Sequence, residues 1–352
     1  MPDAAIKKAR VWPGEKSVHT KRETLRWAIL AGLVVMLGAA IAGSLLLGAV
    51  RYPLETGWSA VFSYNEAVME QMIIRTTRLP RALIAAVVGS SLAVAGAIMQ
   101  TLTRNPLASP GILGINAGAS FFVVLAAVMF SVSSMPVLMA MGFAGAAVAA
   151  VIVFALGSLG RGGLSPMRLL LAGAAISALF SSFTQGVLVL NKQGLGSVLF
   201  WLTGTIAGRE PDMLIQCWPY LAVVLAASWA LSPQLNVLMM GDETAQGLGQ
   251  RTLLLKAVLG VVVLVLAGAS VSIAGPIGFI GVVVPHLARF LVGVDHRWVI
   301  PGSALLGALL LVSADLAARF IMIPEEVPVG VMTALIGAPF FIYAARKGMM
   351  RS

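Results

Sequence analysis

The chain has 352 residues, of which 59% are hydrophobic and 11% charged, with a formal net charge of +10 and a mean hydropathy of +0.94. That composition excludes a soluble globular protein and places nearly the whole chain in a bilayer. In a soluble protein such a charge would suggest a nucleic-acid partner; here none is expected, because the positive-inside rule accounts for the excess of Lys and Arg.

The first 26 residues are hydrophilic and basic and read as a cytoplasmic tail. No cleavage site follows the first apolar run, so that run reads as an uncleaved span rather than a signal peptide. Apolar runs of crossing length then follow in order at about 27–49, 82–102, 112–130, 136–156, 169–190, 214–231, 253–271, 277–293, 299–318 and 327–345. Residues 27–346 are thus expected to form one transmembrane domain of ten helices, and 347–352 a second short cytoplasmic tail. The run at 277–293 is interrupted by Gly278, Gly281 and Pro285, directly after Gly275 and Pro276.

Ten spans put both termini on one side, and charge bias selects the cytoplasm. With the N-terminus inside, the inner segments hold 17 of the 24 Lys and Arg and six of the 14 Asp and Glu. The outer face is left slightly acidic, as positive-inside sorting predicts.

The second and third runs are separated by a segment that is not an ordinary turn. Asn105, Pro106, Ser109, Pro110, Gly111, Gly114 and Asn116 interleave there with Leu107, Ile112, Leu113 and Ile115. Irregular backbone this apolar belongs where protein or a wet cavity satisfies its polar groups, and broken helices of this kind mark transport proteins. The stretch from Ala95 through Gly114 has an echo at Ile273–Gly281, at the opposite face. This suggests an inverted repeat of spans 2–5 and 7–10. Small residues such as Gly89, Ser90, Ser91, Gly96, Gly142 and Gly145 suit close helix packing in lipid and need no further role.

Arg78 and Arg81 flank Pro80 at the outer end of span 2, and Arg319 lies at the outer end of span 9. They read either as interfacial anchors or as exposed guanidinium groups for carboxylates on a protein partner. Asp315, four residues before Arg319, is placed to pair with it along one helix face. Glu325 and Glu326 fall in the next outer loop and are expected to be solvated. On the inner side, Gly241 to Gly249 predicts a short surface helix. Asp242 is read as its N-cap, Glu243 lies in the first turn and Gly249 ends it. The helix is either a plain connector or a dock for a cytoplasmic motor. The turn from Gly162 to Arg168 joins spans 4 and 5 on the same side.

The absences are also informative. No G-x-x-x-x-G-K-[ST] phosphate loop, G-x-S-x-G elbow or H-E-x-x-H motif occurs. Cys217 is the one cysteine and the three histidines are scattered, so neither a metal site nor a bound cofactor is expected. No carboxylate lies mid-span, which argues against a stand-alone proton-driven carrier.

Several blocks occur together in one order: RLPR at 78–81, TRNPLASPGILGINAGA at 103–119, FWLTGTIAGR at 200–209, GDETAQGLG at 241–249, AGPIGFIGVVVPHLAR at 274–289, DHR at 295–297 and PVGVMTALIGAPFF at 328–341. With these the chain resembles the FecCD type of permease subunit, found in ABC importers of iron-siderophores, haem and vitamin B12. The resemblance covers nearly everything beyond Trp27. It implies a type II importer fold of ten helices and a dimeric pathway made with the same or a homologous permease. It also implies a cytoplasmic ATPase dimer and an extracytoplasmic binding protein as partners, in a bacterial cell membrane.

By the same resemblance, Arg78, Arg81 and Arg319 receive the binding protein. Asp242, Glu243, Thr244, Ala245, Gln246, Gly247, Leu248 and Gly249 dock on the ATPase, and Ser165, Pro166 and Met167 form the inner gate. Pro166 departs from the small hydroxyl residues of some relatives. The implied activity is transport without chemistry of its own, with iron(III)-siderophore as the expected cargo and haem or vitamin B12 as the alternatives.

Overall fold

The computed structural model describes residues 13–48, 50–159, 166–190, 201–209, 211–323 and 325–346. Among these the regular structure is helical, joined by turns and loops, with one isolated bridge between Met322 and Glu325. Helix α1 spans Pro13–Leu46, so residues 13–26 of the expected tail are already helical. Two short helices follow, α2 (Leu54–Phe62) and α3 (Met69–Ile73); a π-turn at Ile74–Arg78 carries α3 into α4 (Leu79–Thr103). Next come α5 (Ile115–Val124, extended by a π-turn at Leu125–Met129), α6 (Met135–Ser158) and α7 (Pro166–Leu190). Helix α8 (Pro211–Ala230) bends by 50° into α9 (Ser232–Met239). The last five are α10 (Asp242–Gly247), α11 (Thr252–Ala274), α12 (Ile280–Val292), α13 (His296–Ile321) and α14 (Val329–Arg346).

Every expected span therefore coincides with a helix, but ten full-length crossings are not what the helix lengths give. Among the described residues six helices are long and apolar enough to cross, or seven if the bent α8–α9 pair is one span. The spans expected at 112–130, 277–293 and 327–345 are shorter apolar helices at Ile115–Met129, Ile280–Val292 and Val329–Tyr343. The first two open only after a Gly/Pro-rich break. Pro110–Leu113 forms a 3-10 turn that ends at Gly114, where φ is +71°. Before α12, Gly275 has φ +73° and Phe279 φ +67°. These conformations interrupt the i→i−4 ladder; Gly114 and Gly275 adopt theirs at no steric cost, whereas Phe279 is a non-glycine residue at positive φ.

Both breaks are held by protein. Asn105 accepts the Leu107 amide on its side chain at 2.9 Å, and Ala108 and Leu113 are buried. The 275–279 break is covered by the segment 201–209. The Thr205 amide donates to the Ala274 carbonyl at 2.8 Å, and the Gly330 amide of α14 donates to the Gly204 carbonyl at 3.0 Å. Irregular backbone at membrane depth is thus satisfied internally, as it must be.

Helix α4 is the hub. In its most apolar window 78% of the residues are buried, against 17% for α7. Helix α4 packs on α13 and α12, α11 packs on α6 and α5, and α4 and α11 pack on each other. In these contacts the first helix of each expected repeat packs on helices of the other. The helices approach closely at glycine. A Cβ at Gly89 would overlap the Gly307 carbonyl and one at Gly307 the Gly89 carbonyl; Gly118 and Gly145 stand in the same relation. Contact this close supplies the van der Waals packing that holds helices together in lipid.

Candidate functional site

Two clusters of named residues lie at opposite ends of the helices. At one end are the three arginines. Pro80 comes just after the π-turn at Ile74–Arg78, whose wider loop accommodates a residue with no N–H to donate. The π-turn before it re-phases the helix, so that Arg78 and Arg81 take different partners. Arg78 donates to the carbonyls of Leu45 (2.8 Å) and Val50 (2.6 Å) and lies over the Tyr52 ring, 4.5 Å from its centre. Arg81 forks onto Asp315, with Nε at 3.0 and 3.1 Å from the two oxygens and Nη2 at 2.7 Å from Oδ1. Its Nη1 lies 2.7 Å from Oε2 of Glu326. Arg319 pairs with the other Asp315 oxygen and donates to the Ser44 carbonyl at 2.9 Å and hydroxyl at 2.8 Å.

The structure thus brings Arg81 and Arg319 together on one carboxylate, with Arg78 nearby against α1. The i, i+4 pairing of Asp315 with Arg319 is present. The expectation of three exposed guanidinium groups is not met. The Asp315 side chain is 1% exposed and that of Arg319 5%; the donors of the two arginines offset the desolvation of the buried carboxylate. Nor is Glu326 simply solvated, since it sits on Arg81. The bond between Arg81 and Asp315 joins residues 234 positions apart, and no local signal announces it.

At the other end is α10. Gly241 takes φ +118° and is itself the N-cap; no side chain caps the helix. The capping role read for Asp242 is therefore wrong. Asp242 is the first helical residue, and its carboxylate reaches outward to Nη2 of Arg104 at 2.8 Å and Nζ of Lys256 at 2.7 Å. Arg104 ends α4 and Lys256 lies in the first turns of α11, so one carboxylate ties α10 to both hub helices. Ala245 is buried and anchors α10, and Gln250 returns its amide to the Ala245 carbonyl at 2.9 Å. Glu243, Thr244, Gln246, Gly247, Leu248 and Gly249 face outward, and Leu248 is 65% exposed.

Of the expected inner gate, Ser165 and the Pro166 side chain lie outside the described residues. Met167 is exposed in the first turn of α7, and Arg168 donates to the Leu159 carbonyl at 2.6 Å.

Sequence reading passed over a polar cluster beside α10. Gln100 on α4 accepts from Arg289 on α12 and donates to the Gly281 and Val282 carbonyls. Thr101 meets Nε2 of His296 at 2.8 Å. Gln100, Thr101, Arg104, His286 and Arg289 border a cleft of about 650 Å³. Asp295 caps α13, accepting from the Arg297 amide at 2.9 Å and from Asn236 at 2.7 Å. Partial burial pushes the Asp295 carboxyl up, but these two donors and the charges of Arg297 and Arg26 outweigh it and hold it below its ordinary value. Among the described residues no group of three His, Cys, Asp or Glu is placed to hold a metal ion.

An all-helical bundle with paired glycine crossings, two broken spans and a short tethered surface helix describes a transport architecture. Residues 30–347 match the FecCD transport family. The chain belongs to this family. It is 52% identical over 328 residues to the "Probable siderophore transport system permease protein YfiZ" of Bacillus subtilis (strain 168), covering 93% of this chain and 98% of that one. It is 49% identical to the Fe(3+)-citrate import system permease protein YfmD of the same organism, over 79% of this chain and 83% of that one. Among solved structures it resembles an inward-facing metal-chelate type ABC transporter, with a TM-score of 0.80 and 30% identity over 91% of this chain and 99% of the other. This FecCD protein is accordingly a multi-span permease subunit of an ABC importer.

Proposed function

We propose that this FecCD permease forms, as a homodimer or heterodimer, the pathway through which an ATP-driven importer moves iron(III)-siderophore chelates into a bacterial cell. The observation that carries the reading is the tethering of α10. A short helix with an exposed far face is tied by Asp242 to the ends of α4 and α11, so a force applied at 242–249 reaches the central helix of each half. With no phosphate loop in the chain, a partner ATPase supplies that force. When its dimer closes on ATP, α10 is pulled and the two hubs tilt. Both termini and α10 face the cytoplasm on this reading. Arg78, Arg81 and Arg319 face outward to an extracytoplasmic binding protein, and Ser165, Pro166 and Met167 narrow the inner mouth.

The cargo assignment rests on the FWLTGTIAGR block and on the likeness to YfiZ and YfmD. A cargo that arrives already chelated needs no protein ligands, only a wide and weakly binding channel. Uptake into proteoliposomes, with the binding protein loaded with ferric siderophore, haem or vitamin B12, tests this choice. Siderophore uptake well above the other two supports it, and preference for either of the others replaces it.

A further inference from the structure

The outer arginine cluster is already occupied. Arg81 commits Nε and Nη2 to Asp315, which is buried and shared with Arg319. A buried carboxylate between two arginines does not exchange, because removing it strands desolvated charge. The contact between Arg81 Nη1 and Glu326 is different. Glu326 is 35% exposed, belongs to the segment joining α13 to α14, and no other ion pair holds it among the described residues. Only the Glu326 side of this pair is open to solvent, since the Arg81 side chain is 12% exposed, and a pair that water can reach on one side opens more readily than the buried triad. Arg81 and Arg319 are balanced in charge by Asp315 and Glu326, and Arg78 turns its guanidinium onto carbonyls. With Glu326 seated, Arg81 offers an incoming anion no free positive charge, and Arg78 is the one guanidinium of the three without a carboxylate partner among the described residues.

We propose that Glu326 is a built-in occupant of the docking site, and that a carboxylate on an extracytoplasmic protein takes its place on Arg81. The exchange swaps one charge-assisted hydrogen bond for another. Asp315 meanwhile keeps the guanidinium aimed at the same point, so Arg81 is oriented before the partner arrives. Because the exchange is near-balanced, docking stays weak enough to be released. The displaced Glu326 lies three residues before α14, so its release is felt at the start of that helix. The inference rests on assigning the outer arginines to docking.

The test compares the permease in nanodiscs with its Glu326→Gln variant. Arg81 is labelled with phenylglyoxal and mapped by mass spectrometry, and affinity is measured for the binding protein of the same importer. Glu326→Gln should speed labelling of Arg81 while Arg319 stays protected. It should also tighten docking roughly two- to fivefold, the range an exposed ion pair allows. If the variant does not insert, wild type in rising salt gives the same readout, because screening weakens the pair with a solvent-accessible partner before the buried triad. Unchanged Arg81 labelling in both arms, or docking weakened by Glu326→Gln, overturns the exchange. Arg81→Gln separates the two layers, with Arg78→Gln, which leaves the Asp315 triad intact, taking its place if it does not fold. If it abolishes docking while Glu326→Gln changes nothing, only the exchange fails; if it docks as wild type does, the docking assignment itself fails.

Discussion

Arg81 and Asp315, 234 residues apart in sequence, form a forked ion pair that joins the start of α4 to the last turns of α13. Asp315 also receives Arg319, so the pair is the centre of a buried triad. Breaking a buried pair by removing one partner costs about 3–5 kcal/mol. Asp315→Ala should therefore lower the thermal stability of the purified permease sharply and reduce its yield in the membrane. Unfolding in detergent followed by tryptophan fluorescence measures this. A variant as stable as wild type would mean that the triad is solvated.

Asp242 should behave in the opposite way. Its two ion pairs are partly exposed, and such pairs are worth about 0–1 kcal/mol each. Asp242→Asn should fold and insert normally yet slip mechanically. In the assembled importer, ATP hydrolysis continues while cargo moved per ATP falls severalfold. The ratio of phosphate released to chelate imported is the readout, and an unchanged ratio removes the coupling role from Asp242.

Gly247 and Leu248 test the outer face of α10. A Cβ at Gly247 meets nothing within 4 Å, and Leu248 is exposed. Gly247→Trp and Leu248→Asp should both leave folding intact and abolish co-purification of the ATPase. Normal co-purification and uptake with both variants would make α10 a plain connector.

The Gly89–Gly307 crossing leaves no room for a side chain. Gly89→Leu forces α4 and α13 apart, and overpacking of this kind costs about 1–3 kcal/mol or more. The expected result is a permease that inserts but melts early and transports poorly, whereas Gly32→Leu on α1, where a Cβ would meet open space, is tolerated. Equal melting temperatures for the two variants would contradict the packing.

Asp295 sets an acid limit at the α9–α13 junction. Its carboxyl sits below its ordinary value in the folded chain, so the stability it contributes is present above the unfolded value of about 4. That contribution is lost as pH falls through the lower folded value. Asp295→Ala removes a helix cap, which costs about 1 kcal/mol, and should flatten the pH dependence of melting below about pH 4. A variant with the same acid profile as wild type would show that Asp295 does not set it.

Much of this architecture was legible in the sequence because hydropathy and breakers act locally. Gly114, Gly275 and the prolines beside them announce the broken spans, and the Gly241–Gly249 block announces α10. The spacing of Asp315 and Arg319 gives their pairing. What was not legible depends on contacts between distant segments. Nothing local says that Asp315 also takes Arg81, that Ser44 of α1 receives Arg319, or that Glu326 is seated rather than solvated. Asp242 fits the residue preference of an N-cap, but two cations supplied by α4 and α11 claim its carboxylate. The short helices α5 and α12 fell inside apolar windows, because hydropathy counts residues in a break as readily as residues in a helix.

The most direct test of the account is uptake by defined proteoliposomes. This permease is reconstituted alone, with its ATPase, and with its ATPase plus binding protein loaded with radiolabelled ferric siderophore. The account predicts no ATP hydrolysis by the permease alone, and chelate accumulation only in the complete assembly with ATP inside the coupled compartment. Hydrolysis by the permease by itself, or gradient-driven accumulation of the chelate without the ATPase, would contradict it.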